Sequence, residues 1–187
     1  MPNIPSMEPQ ILIDLLALSL EEAELGPATG ERLIAVVSPW FSNVELALHP
    51  SGCHSALGPP RHASSMRLAE CLRRFCEKGW EVRVGVLKYG VSSGRLHKNL
   101  EDFGQERALL SSLRAAGAHV YLCPNLHAKG IVTPLGVITG STNYTSTGLH
   151  LQMQNANYFA FDHPEYAGNR ATLLAYLDNS FQVLTIP

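Results

Sequence analysis

Three short strand-like runs restrict this chain to few folds: the apolar, β-branched Leu33–Val37, then 82–86 and 118–123, each separated from the next by a stretch of helical periodicity. Val82, Val84 and Val86 alternate with charged or small residues, the period of a strand. Between the first two runs, residues 66–78 carry Leu68, Leu72, Phe75 and Cys76 on one helical face, with Gly79 placed as a C-cap. Between the second and third, residues 105–116 read as a helix stopped by Gly117. Two strand–helix–strand units in succession favour an α/β sheet with parallel pairs.

The flanking segments fill in the rest. Residues 9–25 read as a helix ended by Gly26-Pro27, and Ser38-Pro39-Trp40-Phe41 turns the chain after the first strand. Residues 49–65 and 88–103 read as polar loops. Past residue 123 the pattern changes. Residues 128–133 and 137–139 are short strands around Pro134-Leu135-Gly136, which suits a hairpin; 156–161 is another strand, and 165–183 a closing helix with Leu173, Leu174, Tyr176 and Leu177 apolar. No internal repeat is present. The expected architecture is an α/β sandwich, a mixed central sheet with helices on both faces. It spans 1–187 as one domain, with 1–29 an N-terminal helix and linker. At 187 residues and 45% hydrophobic, the chain can bury a core without disulfide or metal staples.

The formal net charge of −2 provides no global positive field, so nucleic-acid binding would need a local or interfacial basic patch. Arg61, Lys88, Arg95 and Lys98, all in expected loops, are the candidate basic contacts. Trp40, Phe41 and Tyr144 are candidates for stacking on bases, with packing the competing role. Cys53, Cys71, Cys76 and Cys123 form no CxxC pair and read as reduced thiols, which suits a cytoplasmic protein. The apolar run 11–20 is preceded by no basic segment, is interrupted by Asp14 and is too short for a membrane span, so an amphipathic helix is expected there. His49, Cys53, His54 and His62 share one loop, but their spacing matches no common zinc pattern, and no metal is assigned to them. His119, His150 and His163 read as structural or surface residues.

The chemistry concentrates in Leu126-His127-Ala128-Lys129 and Gly140-Ser141-Thr142-Asn143. On a strand, His127 and Lys129 would face the same side, and the hairpin would return Gly140, Ser141 and Asn143 beside them. Gly140 permits close backbone approach, while Ser141 and Asn143 supply neutral donors. An imidazole, an ammonium and two neutral donors converging on one point make a cradle for a phosphate.

These residues resemble the single-motif members of the phospholipase D superfamily, which include bacterial endonucleases. That signature runs H-x-K, four residues, D, six residues, G-S-x-N, and His127 to Asn143 align with it at H, K, G, S and N. The preceding strand–helix–strand order, with its basic strand around Arg83, is also similar, so the resemblance spans 30–185 with its specific residues in 127–157. Two positions depart from it: the family Asp falls on Pro134, and the downstream Glu that holds the histidine is replaced at Gln154 or Asn155. A Gln carbonyl can accept an imidazole N–H but cannot stabilise imidazolium as a carboxylate does.

The resemblance implies a site built from two HxK motifs. With one in this chain, it implies a homodimer about a two-fold axis. One His127 would be the nucleophile and the other the general acid and base, with Lys129, Asn143 and Ser141 holding phosphate oxygens, Gln154 orienting the imidazole, and no cofactor or metal required. The implied activity is metal-independent phosphodiester hydrolysis of DNA or RNA. Two alternatives stay open. One is an accessory protein of a bacterial DNA-modification or antiviral defence system, binding nucleic acid or a partner protein with weak or no catalysis. The other is a phospholipid head-group phosphodiesterase, though the sequence offers no membrane-docking helix and no stable membrane association is expected.

Overall fold

A computed structural model describes residues 14–16, 18–20, 30–47, 65–88, 92–93, 96–97, 100–141, 143–145 and 156–182. The strands are β1 (Leu33–Val37), β2 (Glu45–Ala47), β3 (Ser65–Arg67), β4 (Glu81–Leu87), β5 (Ser92–Ser93), β6 (Leu96–His97), β7 (His119–Cys123), β8 (Gly130–Thr133), β9 (Gly136–Gly140), β10 (Ala156–Ala160) and β11 (Phe181–Gln182). The helices are α1 (Leu68–Glu77), α2 (Leu100–Ala115) and α3 (Tyr166–Asp178), and residues 14–16 and 18–20 are also helical.

Seven strands form the central sheet in the order β10-β9-β8-β1-β4-β7-β11. β1, β4 and β7 run parallel, while β8, β9, β10 and β11 join antiparallel. The sheet is therefore mixed, as the sequence implies. Strand alternation divides its side chains between two faces. Ile34 and Val36 of β1 join Val82, Val84 and Val86 of β4 in a core covered by Leu72 and Phe75 of α1, Leu110 and Leu113 of α2, and Leu16 from the N-terminal helical residues. Leu33, Ala35 and Val37 point the other way, into a second core closed by Leu173, Leu174 and Leu177 of α3. Helices thus cover both faces. Gly85 of β4 leaves space for the Leu177 side chain, which lies 2.4 Å from where a Cβ would stand. Gly79 and Gly117 take positive φ just after α1 and α2, so both helices stop where the sequence says they should.

Several boundaries differ from expectation. Met66 and Arg67 lie in β3 rather than in the helix, because Glu45 and Leu46 pair with Arg67 and Met66 and hold that segment extended. β2 and β3 bracket the expected 49–65 loop, most of which lies outside the described residues. The 88–103 segment is not uniformly loop: β5 and β6 pair within it, and α2 starts at Leu100, five residues before the expected start, running through Gly104. α3 ends at Asp178, and the chain then returns as β11 beside β7. Among the described residues no helix is long and apolar enough to cross a membrane.

Candidate active site

Parallel β1, β4 and β7 all end at one edge of the sheet, and the connection 124–129 runs back along that edge from β7 to β8, passing the ends of β4 and β1. His127 sits on this connection. Leu126 immediately before it is fully buried and anchors the segment, whereas His127 itself is exposed. The strand begins only at Gly130, so His127 and Lys129 stand on the approach to β8 and not within it as the alternation argument assumed.

Lys129 is 8% exposed, and its Nζ donates to the His127 carbonyl at 2.9 Å. Burial holds its pKa below the usual lysine value. Among the described residues no carboxylate forms an ion pair with it. A buried ammonium that among the described residues has one carbonyl as its hydrogen-bond partner is poorly compensated, and an anion at the site would complete it. The Gly140 N–H donates to the Lys129 carbonyl at 3.2 Å, which draws the end of β9 alongside the HxK segment. Gly130 fixes this place more tightly than the sequence suggests. A Cβ there would lie 2.5 Å from both the Ile138 carbonyl oxygen and Leu173 Cδ1.

The β8–β9 hairpin closes through Pro134-Leu135, with Thr133 paired to Gly136. This two-residue turn bears on the alignment drawn from the sequence. Five residues, 135–139, separate Pro134 from Gly140, one fewer than the six of the family signature. Pro134 occupies the turn at the far end of the hairpin from Gly140, so the missing acid is absent from a tight turn.

At and just past the end of β9, Gly140 and Ser141 are exposed and Asn143 is half-buried, its Oδ1 enclosed and without a hydrogen-bond partner among the described residues. The next residue explains how this segment is held. The Tyr144 N–H donates to Ser38 Oγ at 3.1 Å, the Tyr144 carbonyl accepts from Ser42 N at 2.9 Å, and Phe41 and Tyr144 form an isolated parallel bridge. Ser38 Oγ in turn donates to the Trp40 carbonyl at 2.6 Å, and Phe41 N donates to buried Glu106 Oε1 at 2.7 Å. The turn after β1 is therefore the clamp that sets Asn143. Sequence reading missed Ser38 and Glu106 as parts of the site; the only signal was their position, a serine at a strand end and an acid on an otherwise apolar helix face.

Phe41 and Tyr144 are core residues, 2% and 3% exposed, which removes them as base-stacking platforms; Trp40 is half-buried. Lys88 is exposed just past the end of β4, on the same edge as His127, with its backbone N–H on the Cys123 carbonyl. Arg83 is tied to Glu81 and Asp178 instead of facing the site. Gln154, Asn155, Arg61, Arg95 and Lys98 lie outside the described residues, as do His49, Cys53, His54, His62 and His150. Among the described residues no cluster of three metal-ligating side chains occurs. His163 is structural: its Nδ1 accepts the Glu165 N–H and its ring meets Phe159 edge-on.

No family model matches the chain, and no curated protein does. Solved structures do. The phospholipase D family member Nuc from Salmonella typhimurium superposes with a TM-score of 0.51 at 15% identity, covering 89% of this chain and 90% of that one. NucT from Helicobacter pylori gives 0.56 at 11% identity, covering 95% and 94%. A polyphosphate kinase from Porphyromonas gingivalis gives 0.56 at 12% identity, with 96% of this chain matching 26% of that one.

Proposed function

The chain has the phospholipase D fold, and from that premise we propose that it is a metal-independent phosphodiesterase acting on DNA or RNA, with His127 as nucleophile. The observation that carries the reading is the juxtaposition of exposed His127 with the buried ammonium of Lys129, which pairs with no carboxylate among the described residues, on one sheet edge beside the Gly140–Asn143 segment.

In this reading two copies of the chain meet about a two-fold axis, because one chain supplies one HxK. An imidazole nitrogen of one His127 attacks phosphorus, and a P–N bond forms as the bond to the leaving oxygen breaks. The partner subunit's His127, protonated, gives its proton to that oxygen. It then takes a proton from water, whose oxygen attacks the phosphohistidine, breaking the P–N bond and freeing the first imidazole. The two imidazoles titrate as a coupled pair. Lys129 and Asn143 of both copies hold the non-bridging oxygens, Ser141 assists, and Gln154 orients His127. These cationic and amide groups supply the charge stabilisation that a metal ion supplies in other phosphodiesterases.

The test is cleavage of labelled single- and double-stranded DNA and RNA in EDTA by wild type and by His127→Ala, with the oligomeric state measured alongside. Cleavage by wild type alone, from a dimer, is the expected result. Activity that persists in His127→Ala overturns the nucleophile, and an active monomer overturns the shared site. A second reading, an accessory protein that binds nucleic acid or a partner with weak or no catalysis, is favoured by the two departures from the family's acidic positions, Pro134 and Gln154 or Asn155. Tight binding unaffected by His127→Ala, with no cleavage, would select it.

A further inference from the structure

The connection that carries His127 also walls a cavity. About 510 Å³ of space lies between residues 124–126 and the last turns of α3, lined by Pro124, Asn125, Leu126, Ala175, Tyr176 and Asn179 among others. It belongs to the same sheet edge as the candidate active site. Cys123 ends β7 there, its Sγ lies 3.8 Å from the Tyr176 carbonyl, and β11 pairs back along β7 directly after α3. Leu126 adjoins His127 in the chain, so their Cα atoms stand about 3.8 Å apart.

The lining separates this cavity from a phosphate pocket, since among the described residues none of the side chains around it is charged. A second phosphate would require cations or converging amide N–H groups, and a quaternary ammonium head group would call for an aromatic cage. The described lining offers apolar walls, one phenol ring, two primary amides, and the hydroxyls of Thr172 and Ser180, which donate to the Gly168 and Tyr176 carbonyls of α3. Asn179 Nδ2 donates to the Ala175 carbonyl at 2.7 Å, which leaves its Oδ1 as an acceptor. Asn125 is exposed and carries both donors and an acceptor. Flat apolar surfaces with hydrogen-bonding groups at the margin match an uncharged heterocycle, and the volume lies within the usual range for small-ligand sites.

We propose that this cavity is a base subsite, which takes the nucleobase next to the phosphate held at His127. The inference rests on the nucleic-acid reading above and narrows its substrate. A base stacked and paired in a duplex cannot enter a pocket, so the substrate is single-stranded or locally opened.

The experiment uses fluorescence anisotropy in the His127→Ala background, where turnover does not consume the probe. Two labelled oligodeoxynucleotides of equal length are compared, one normal single strand and one abasic strand with the same phosphates. The expected result is that the normal strand binds roughly tenfold tighter, in line with the worth of one well-placed base contact. Ala175→Trp fills the cavity from an exposed helix position and is expected to remove this preference, while Ala175→Ser keeps it and Asn125→Ala weakens it in part. Thermal melts check that each variant is folded. Equal binding of the two strands, no binding of either, or a preference that survives Ala175→Trp overturns the base subsite. Failure of the wild type to cleave any diester bears instead on the phosphodiesterase reading.

Discussion

The hydroxyl of Ser38 accepts the backbone N–H of Tyr144 at 3.1 Å, across 106 residues of chain. Ser38 is fully buried, so this bond is made in a place where water cannot replace it. Through it, the end of β1 sets the backbone of the residue after Asn143.

Removing that hydroxyl should therefore be felt at the cradle. Ser38→Ala leaves a buried Tyr144 N–H without its partner, a cost of about 1–3 kcal/mol. Urea denaturation should show a loss of that size, and kcat should fall roughly tenfold as Asn143 shifts, with a smaller change in KM. Lost stability at unchanged kcat would reduce Ser38 to scaffold alone.

Lys129 sets stability against function. Burial lowers its pKa in the folded state, so between that value and the unfolded-state value near 10.5 the unfolded chain binds more protons. Stability attributable to this group thus rises with pH through that window, and below it the full penalty of burying the charge is present. Lys129→Met should melt about 2–4 °C above wild type at neutral pH, a shift equivalent to roughly 1 kcal/mol in a chain of this size. It should lose about a hundred- to a thousandfold in turnover. The gap in Tm between the two should narrow as pH approaches 10; a gap constant from pH 7 to 10 would mean that the charge is not its source.

Two glycines make a matched pair. Gly130→Ala pushes a methyl group into the Ile138 carbonyl and Leu173, and overpacking of this kind costs about 1–3 kcal/mol. Gly168, in the first turn of α3, has nothing within 4 Å of an added Cβ, so Gly168→Ala should stabilise by about 0.5–1 kcal/mol. Activity should fall with the first substitution and hold with the second. Chemical denaturation of both, run together, checks the sign.

Burial pushes the Cys71 thiol up to about 12, because its thiolate would be desolvated beneath α1. Alkylation of native protein at pH 8, read by mass spectrometry, should label half-buried Cys76 before Cys71, and Cys71 should react freely only in denaturant. Early labelling of Cys71 in folded protein would contradict the packing of α1 on the sheet.

Much of this was legible in the residues. β1 announces itself as an apolar, β-branched run because both its faces are buried, β4 by the alternation of Val82, Val84 and Val86, and Gly79 and Gly117 mark helix ends because only glycine takes those φ values at ease. His127, Lys129, Gly140 and Asn143 were visible as a spaced constellation. What stayed hidden depends on partners distant in sequence. Met66 reads as helix until Leu46 pairs with it. Gly104 argues against a helix that α2 nevertheless runs through, tertiary context outweighing a propensity cost of about 1 kcal/mol. Phe41 and Tyr144 read equally well as stacking platforms or core until their bridge settles them in the core. Ser38 and Glu106 carry no motif at all; only the folded chain shows that both hold the turn after β1.

That clamp also dictates when the site can exist. Ser38 must find Tyr144, and Phe41 must find Glu106 65 residues further on, so the loops closed are long and the contacts form only after the intervening strands have docked. No fragment that stops short of Tyr144 holds the Asn143 segment in place. The cradle is thus a late product of folding, assembled only once Tyr144 has reached the end of β1.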